Sequence, residues 1–174
     1  ITHWGLSGPA VLKLSSWEAR SLAQMKYQFE IEVNFLGMDY DEALHTFIEF
    51  KKQYPKRSLA QSKMFNISNR FWHKILEISK IDFNKQIAHI TNKETQLILE
   101  NLCKKLLKVT GKSTFKEEFV TCGGVDLREI NFKTMASKLL PNFYIAGEVL
   151  NIDAVTGGFN FQACWSESYL ICKA

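Results

Sequence analysis

Apolar and polar residues alternate along residues 27–35. The apolar positions are Tyr27, Phe29, Ile31, Val33 and Phe35. A period of two places these side chains on one face of a strand. We therefore predict a strand here with a buried aromatic and aliphatic face, ended by Gly37.

From residue 39 the spacing of apolar residues becomes helical. Three helix starts are predicted from local caps: Asp39-x-x-Glu42, Ser68 and Thr91-x-x-Glu94. The last helix carries apolar residues at i, i+3, i+4, i+7 and i+8: Leu99, Leu102, Cys103, Leu106 and Leu107. The segment indicates a helical subdomain without an internal repeat.

The remaining segments predict strands on either side of that subdomain. Phe115–Val120 is expected to return as a strand that pairs with the one from Tyr27. The predicted fold class is α+β, with a helical subdomain inserted between β-strands. The expected parts are a β-containing portion (1–37), the helical subdomain (38–112), a return strand (113–124) and a C-terminal portion (125–174).

The end of the chain has the order strand, loop, helix. An apolar run, 143–146, stops at Gly147-Glu148, and Gly157-Gly158 precede a segment with helical spacing. The apolar positions of that helix are Phe161, Cys164, Trp165, Tyr169 and Cys172. One strand and one helix leave apolar surface exposed unless a further part of the protein covers it.

The paired glycines at the helix start are suited to an electron-rich ligand. Backbone N–H groups at a helix N-terminus favour negative charge, and glycine permits close approach to the backbone. Asn160 and Gln162 can add hydrogen bonds, and Glu148 can accept one from a ligand hydroxyl. The alternatives are a tight loop with an amide-capped helix, and a Glu148 that caps the loop.

Three stretches together resemble a known family. They are Thr2-His-Trp-Gly-Leu-Ser-Gly-Pro9, Val120-Thr-Cys-Gly-Gly-Val125 running on to Thr134-Met-Ala-Ser-Lys138, and the long run from Phe143 to Gln162. Their order and separation resemble the C-terminal part of bacterial NAD(P)/FAD-dependent oxidoreductases, the aminoacetone-oxidase-like flavoproteins. The resemblance implies that residues 125–174 complete an α/β FAD-binding domain, with NAD(P)H as reductant.

The resemblance also implies which residues meet the cofactor. These are Gly147, Glu148, Gly157, Gly158, Phe159, Asn160 and Gln162. The chain departs from the family pattern at Asn151, where Asp is usual, and at Ala154, where Gly is usual; both changes bear on the shape of the loop. His3 is a weak candidate for a proton donor, and a structural role is its alternative.

No Gly-x-Gly-x-x-Gly dinucleotide motif occurs in this chain. The resemblance therefore implies a fragment that lacks the N-terminal FAD-binding lobe, that has this lobe as its partner, and that is inactive alone. The expected substrate of the whole enzyme is a small molecule. Four scattered cysteines without Cys-x-x-Cys spacing suit the cytoplasm. Structural cysteine is favoured over a redox pair, and no metal site is expected.

Positive charge is concentrated in the helical part. Residues 39–113 hold 14 Lys/Arg and 8 Asp/Glu, whereas the remainder holds 8 and 10. A solvated basic face is the expectation, so neither nucleic acid nor membrane is expected as a partner. The alternative function is a basic helical RNA- or protein-binding module without catalytic activity.

Overall fold

The computed structural model describes residues 1–3, 5–113 and 120–174, and the chain divides into two units. The helical unit is Phe29–Val109, and the terminal unit comprises Ile1–Gln28 with Thr110–Ala174. In chain order the elements are α1 (Pro9–Trp17), α2 (Ala19–Gln24), β1 (Phe29–Val33), α3 (Tyr40–Gln53), α4 (Asn69–Ile78), α5 (Asn92–Cys103), β2 (Lys105–Val109), β3 (Ile130–Asn131), β4 (Ala136–Ser137) and α6 (Phe159–Lys173). Helices combined with small antiparallel sheets agree with the predicted α+β class.

The core of the helical unit lies where α3 and α4 pack on α5. Its fully buried large side chains are Phe47, Leu59, Ile75, Leu76, Ile87, Ile90, Ile98, Leu99 and Leu102. Beside it, β1 and β2 pair antiparallel, with Phe29 opposite Val109 and Val33 opposite Lys105. The strand β1 forms the centre of the strand that the alternation predicts.

Local caps fix the starts of the three helices, as predicted. The side chains of Asp39, Ser68 and Thr91 each accept a hydrogen bond from the backbone N–H three positions on. The Glu94 carboxylate accepts one in return from the N–H of Thr91, at 2.8 Å. The Lys85 ammonium and this N–H hold the pKa of Glu94 below its ordinary value.

The predicted end of the last helix is wrong. Helix α5 stops at Cys103, and the leucines assigned to it, Leu106 and Leu107, belong to β2. The reason is that β1 presents a row of backbone donors and acceptors, which residues 105–109 satisfy directly after the helix. The predicted return strand, 113–124, falls largely on residues 114–119, which lie outside the described residues.

Two turns of the helical unit, 55–61 and 83–89, share one conformation and bind each other; we name them the paired turns. Each holds a short 3₁₀ helix, Leu59–Gln61 or Ile87–His89. Their reciprocal bonds run from Leu59 N–H to Lys85 C=O, Ile87 N–H to Arg57 C=O, Ala60 N–H to Phe83 C=O and Ala88 N–H to Pro55 C=O. The two turns share a conformation although their sequences barely match, so no repeat in the sequence signals them.

The terminal unit has a small core, with Ile130, Met135 and Leu150 at its centre. The predicted strand at 143–146 is reduced to one bridge between Tyr144 and Ala136. Phe143 and Tyr144 are 49% and 43% exposed. A buried strand needs neighbours along both edges, and among the described residues only β4 and the residue before it pair with this segment.

Helix α6 is confirmed, and its aromatic side chains lie at the surface. Phe161, Trp165 and Tyr169 are 66%, 67% and 57% exposed. Leu170 and Ile171 pack against the small core, while Asn160 and Glu167 are the buried residues of the helix. An apolar face is thus left open in the terminal unit, as expected from one strand and one helix.

Candidate functional site

The candidate site is the loop 147–158 together with the first turn of α6. Gly147, Gly157 and Gly158 all have positive φ, at 91°, 125° and 90°. Gly158 is the N-cap of α6 in the left-handed region and provides no side-chain cap. No atom lies within 4 Å of where a Cβ would stand on Gly158. The helix start is therefore accessible to a ligand.

Asn160 holds the loop from inside. Its side chain is 9% exposed and accepts a hydrogen bond from the N–H of Ala154 at 2.9 Å, while its amide donates to the Ala154 C=O at 3.1 Å. Both the oxygen and the nitrogen of the carboxamide are therefore hydrogen-bonded to the backbone of one residue, Ala154. Its predicted contact with the cofactor remains a prediction, and the structure gives Asn160 a bracing role.

A buried carboxylate holds the other end of the loop. Glu167 is 6% exposed, and its Oε2 accepts a hydrogen bond from the Gly147 N–H at 2.6 Å. A carboxylate that accepts from a backbone N–H makes a strong, short bond. Helix α6 therefore fixes the loop at Gly147 and at Ala154 through two inward-facing polar residues. Glu167 is not among the site residues that the sequence predicts.

Residues 124–125 contact the backbone of the candidate loop at residues 149–151. The N–H of Val125 donates to Val149 C=O at 2.9 Å, and the N–H of Asn151 donates to Val125 C=O at 3.1 Å. A Cβ on Gly124 would stand 2.5 Å from backbone atoms of Val149 and Leu150. Gly124 therefore lies where two backbone segments are in direct contact.

Polar side chains also fasten the loop to the first chain segment. Arg20 of α2 donates to Asn151 Oδ1 at 2.7 Å. Asp153 lies two residues after Asn151 on the loop. Its carboxylate accepts a hydrogen bond from the partly buried Cys122 thiol, which raises the pKa of that thiol. A raised pKa keeps the thiol protonated and unreactive at neutral pH.

The remaining predicted site residues lie at the surface. Glu148, Phe159 and Gln162 are exposed around the glycine turn, and the Gln162 amide donates to Ser166 Oγ at 3.2 Å. His3 is exposed in the first segment, and its role remains a prediction. The structure thus brings the glycine turn, Glu148 and Gln162 onto one loop and the helix that follows it.

All four cysteines fall within the described residues, and each is free. In the part of the chain that the structure covers, no group of three or more His, Cys, Asp or Glu is arranged to hold a metal ion. The same residues include no helix that is both long and apolar enough to cross a membrane.

The bracing by Asn160 predicts a loss of stability on truncation. Asn160→Ala leaves the N–H and C=O of Ala154 without their partners, which is expected to lower the free energy of unfolding by about 1–3 kcal/mol. Gln162→Ala, two positions on and exposed, is expected to change it by less than about 0.5 kcal/mol. Urea unfolding followed by circular dichroism measures both. Equal losses in the two variants would contradict the bracing role.

Comparison with known proteins matches this chain to a family. The family described as "HI0933-like protein Rossmann domain" matches residues 51–174. The chain is 29% identical to the ribosomal RNA dihydrouridine synthase of Escherichia coli (strain K12) over 171 residues, which are 97% of the chain and 40% of that protein. The Haemophilus influenzae protein of the same name is 28% identical, with the same coverage.

A third relative carries a different name. The 3-dehydro-bile acid delta(4,6)-reductase of Clostridium scindens is 25% identical over 175 residues, which are 100% of the chain and 42% of that protein. The chain therefore spans about two fifths of the length of these relatives. All three are named as enzymes, which gives no support to the alternative of a binding module without catalytic activity. The family match covers more than half of the chain, and the protein therefore belongs to the HI0933-like family with a Rossmann domain.

Proposed function

We propose that this chain is the C-terminal, flavin-contacting portion of an FAD-dependent oxidoreductase that uses NAD(P)H. The observation that carries the proposal is the open glycine turn at the start of α6, held in place from both ends of the loop. Membership of the family supports it, and the proposal includes a place among the aminoacetone-oxidase-like flavoproteins. In this proposal the enzyme is cytoplasmic, and the chain is inactive without the rest of the protein.

The residues of the turn fit the electron-rich edge of a flavin. The N-terminus of α6 carries partial positive charge, which stabilises negative charge on a group placed against it. Glu148 and Gln162 are exposed and able to hydrogen-bond a ligand, while Asn160 and Glu167 hold the backbone in position. When bound, a flavin supplies hydride transfer between NAD(P)H and substrate.

The proposed partner of the terminal unit is a dinucleotide-binding lobe of the same protein. The relatives are more than twice as long as the chain, so they contain further sequence from which such a lobe can form. The surface proposed for it is the aromatic face of α6, formed by the exposed side chains of Phe161, Trp165 and Tyr169. Covering this face would remove exposed aromatic side chains from water.

The names of the relatives suggest a class of reaction. Dihydrouridine is uridine with a saturated carbon–carbon bond, and a delta(4,6)-reductase saturates a conjugated system. Both are reductions of an electron-poor C=C bond. We propose the same class for the whole enzyme: a bound flavin would supply the hydride for one carbon of the bond, and the other carbon would take up a proton.

The test is a side chain placed on the glycine turn. In the longer protein that contains this chain, Gly158→Val is expected to weaken FAD binding about tenfold or more, equivalent to about 1.4 kcal/mol. A branched side chain is strained at a φ of 90°, and it would occupy the space through which the ligand approaches. Flavin content after purification and FAD titration of the apo-protein measure the effect.

Gly37 provides a matched control in the helical unit. Its φ is 71°, and no atom lies within 4 Å of where a Cβ would stand, as at Gly158. Gly37→Val therefore carries a similar backbone strain of about 1–2 kcal/mol, without a flavin nearby in this proposal. If both variants keep their flavin, the turn does not contact the cofactor. If both lose it in proportion to their thermal midpoints, the glycine is structural only.

A further inference from the structure

Residues 51–93 form the most basic part of the chain. They hold ten Lys/Arg, at positions 51, 52, 56, 57, 63, 70, 74, 80, 85 and 93, and two acidic residues, Glu77 and Asp82. The net charge of this stretch is thus +8 from ten minus two. Such a density over 43 residues exceeds that of the whole chain, whose net charge is +4. It comprises the end of α3, the paired turns and α4.

Most of these cations have no carboxylate partner. Lys52, Lys74 and Lys85 form ion pairs with Glu49, Glu77 and Glu94. Among the described residues, none of the other six exposed cations forms an ion pair: Lys56, Arg57, Lys63, Arg70, Lys80 and Lys93. Their charge is therefore available to an anionic partner.

Aromatic rings are interleaved with the cations at the paired turns. The Arg57 guanidinium lies 4.7 Å from the ring centroid of Tyr54, which is 37% exposed. Phe83, at the start of the second turn, is 39% exposed and lies 5.6 Å from the His73 ring. Exposed rings next to unpaired cations are the combination that binds single-stranded nucleic acid, through stacked bases and neutralised phosphates.

The paired turns hold these groups in a fixed arrangement. The backbone C=O of Arg57 accepts a hydrogen bond from the Ile87 N–H, and the C=O of Phe83 accepts one from the Ala60 N–H. The aliphatic residues Leu59 and Ile87 are fully buried. A surface whose backbone is fixed in this way loses little conformational freedom when it binds a ligand.

We propose that the surface of the paired turns binds single-stranded RNA and presents it to the enzyme as substrate. That RNA is the substrate rests on the proposed oxidoreductase function and on the names of two relatives. That the surface binds RNA rests only on its unpaired cations and exposed rings. The sequence favoured a solvated basic face and a small-molecule substrate. The unpaired cations beside exposed rings favour RNA binding over the first interpretation, and the RNA substrate proposed here replaces the second. An anionic membrane would require charge alone and no stacking rings.

The experiment uses the full 174-residue chain and a fluorescein-labelled oligouridine of about 12 nucleotides. Fluorescence anisotropy gives the Kd between about 50 and 200 mM salt. The double variant Lys56→Gln/Arg57→Gln is expected to bind about tenfold more weakly and to lower the slope of log K against log salt by about 1.4. Tyr54→Leu is expected to weaken binding about tenfold without changing that slope.

The control variant removes two positive charges, as the first double variant does, but from the terminal unit. Lys26→Gln/Lys133→Gln alters two exposed lysines of the terminal unit and is expected to leave the Kd nearly unchanged. Equal weakening in both double variants, an unchanged Kd for Tyr54→Leu, or no RNA binding at low salt would each overturn the proposal. So would binding to phosphatidylserine vesicles in preference to RNA. None of these measurements requires flavin, so their failure is distinct from failure of the flavin assignment.

Discussion

Gly124→Ala is expected to lower the free energy of unfolding by about 3 kcal/mol or more. The added Cβ would stand 2.5 Å from the carbonyl carbon of Leu150 and from the carbonyl oxygen of Val149. Both are backbone atoms, so neither can rotate away as a side chain would. The bonds between Val125 and residues 149 and 151 would have to lengthen, which releases the candidate loop from its support. Urea unfolding followed by circular dichroism measures the loss.

Gly123→Ala separates backbone strain from the close approach. Gly123 has a φ of 116°, but no atom lies within 4 Å of where its Cβ would stand. It is expected to cost about 1–2 kcal/mol from conformation alone. If the two alanine variants lose equal stability, the contact between the two backbones is not what requires glycine at position 124.

Trp72→Ala is expected to destabilise the helical unit by about 3–5 kcal/mol. Trp72 is 4% exposed, packs edge-on against Phe65, and donates its indole N–H to the Leu59 carbonyl at 2.7 Å. It therefore joins α4 both to the core and to the first of the paired turns. Trp72→Phe keeps most of the packing and is expected to cost about 0.5–1.5 kcal/mol, because the Leu59 carbonyl loses the indole donor but keeps the Ser62 N–H.

An exposed tryptophan gives the comparison. Trp17 is 67% exposed, and Trp17→Ala is expected to change stability by less than about 0.5 kcal/mol. Circular dichroism is the appropriate probe, because both substitutions remove a fluorophore. A Trp72→Phe variant as stable as the parent would show that the indole hydrogen bond contributes nothing measurable.

Features that depend on neighbouring residues were predictable from the sequence. The caps at Asp39, Ser68 and Thr91 act over three positions, so their residues alone determine where the helices begin. The strand that pairs with β1 could not be predicted from neighbouring residues, because it lies far away in the sequence. Leu106 continues a helical spacing, and only the unsatisfied backbone of a strand far away in the sequence makes it part of β2.

The candidate site divides in the same way. The glycine turn before α6 was predictable, because two consecutive glycines directly ahead of a helical pattern favour a turn with positive φ. The bonds from Glu167 to Gly147 and from Arg20 to Asn151 join residues 20 and 131 positions apart, and no local pattern signals them. The contact of Asn160 with the cofactor stays a prediction, and the bonds from its side chain to the N–H and C=O of Ala154, six positions earlier, have no signal in the local sequence pattern.

The paired turns determine how the helical unit can open. Each turn satisfies the amides of the other, so neither can separate from the unit without exposing both. In terms of local unfolding they are one cooperative element, although their sequences lie on opposite sides of α4. The chain between them, which includes α4, is a loop closed by main-chain hydrogen bonds instead of a covalent cross-link.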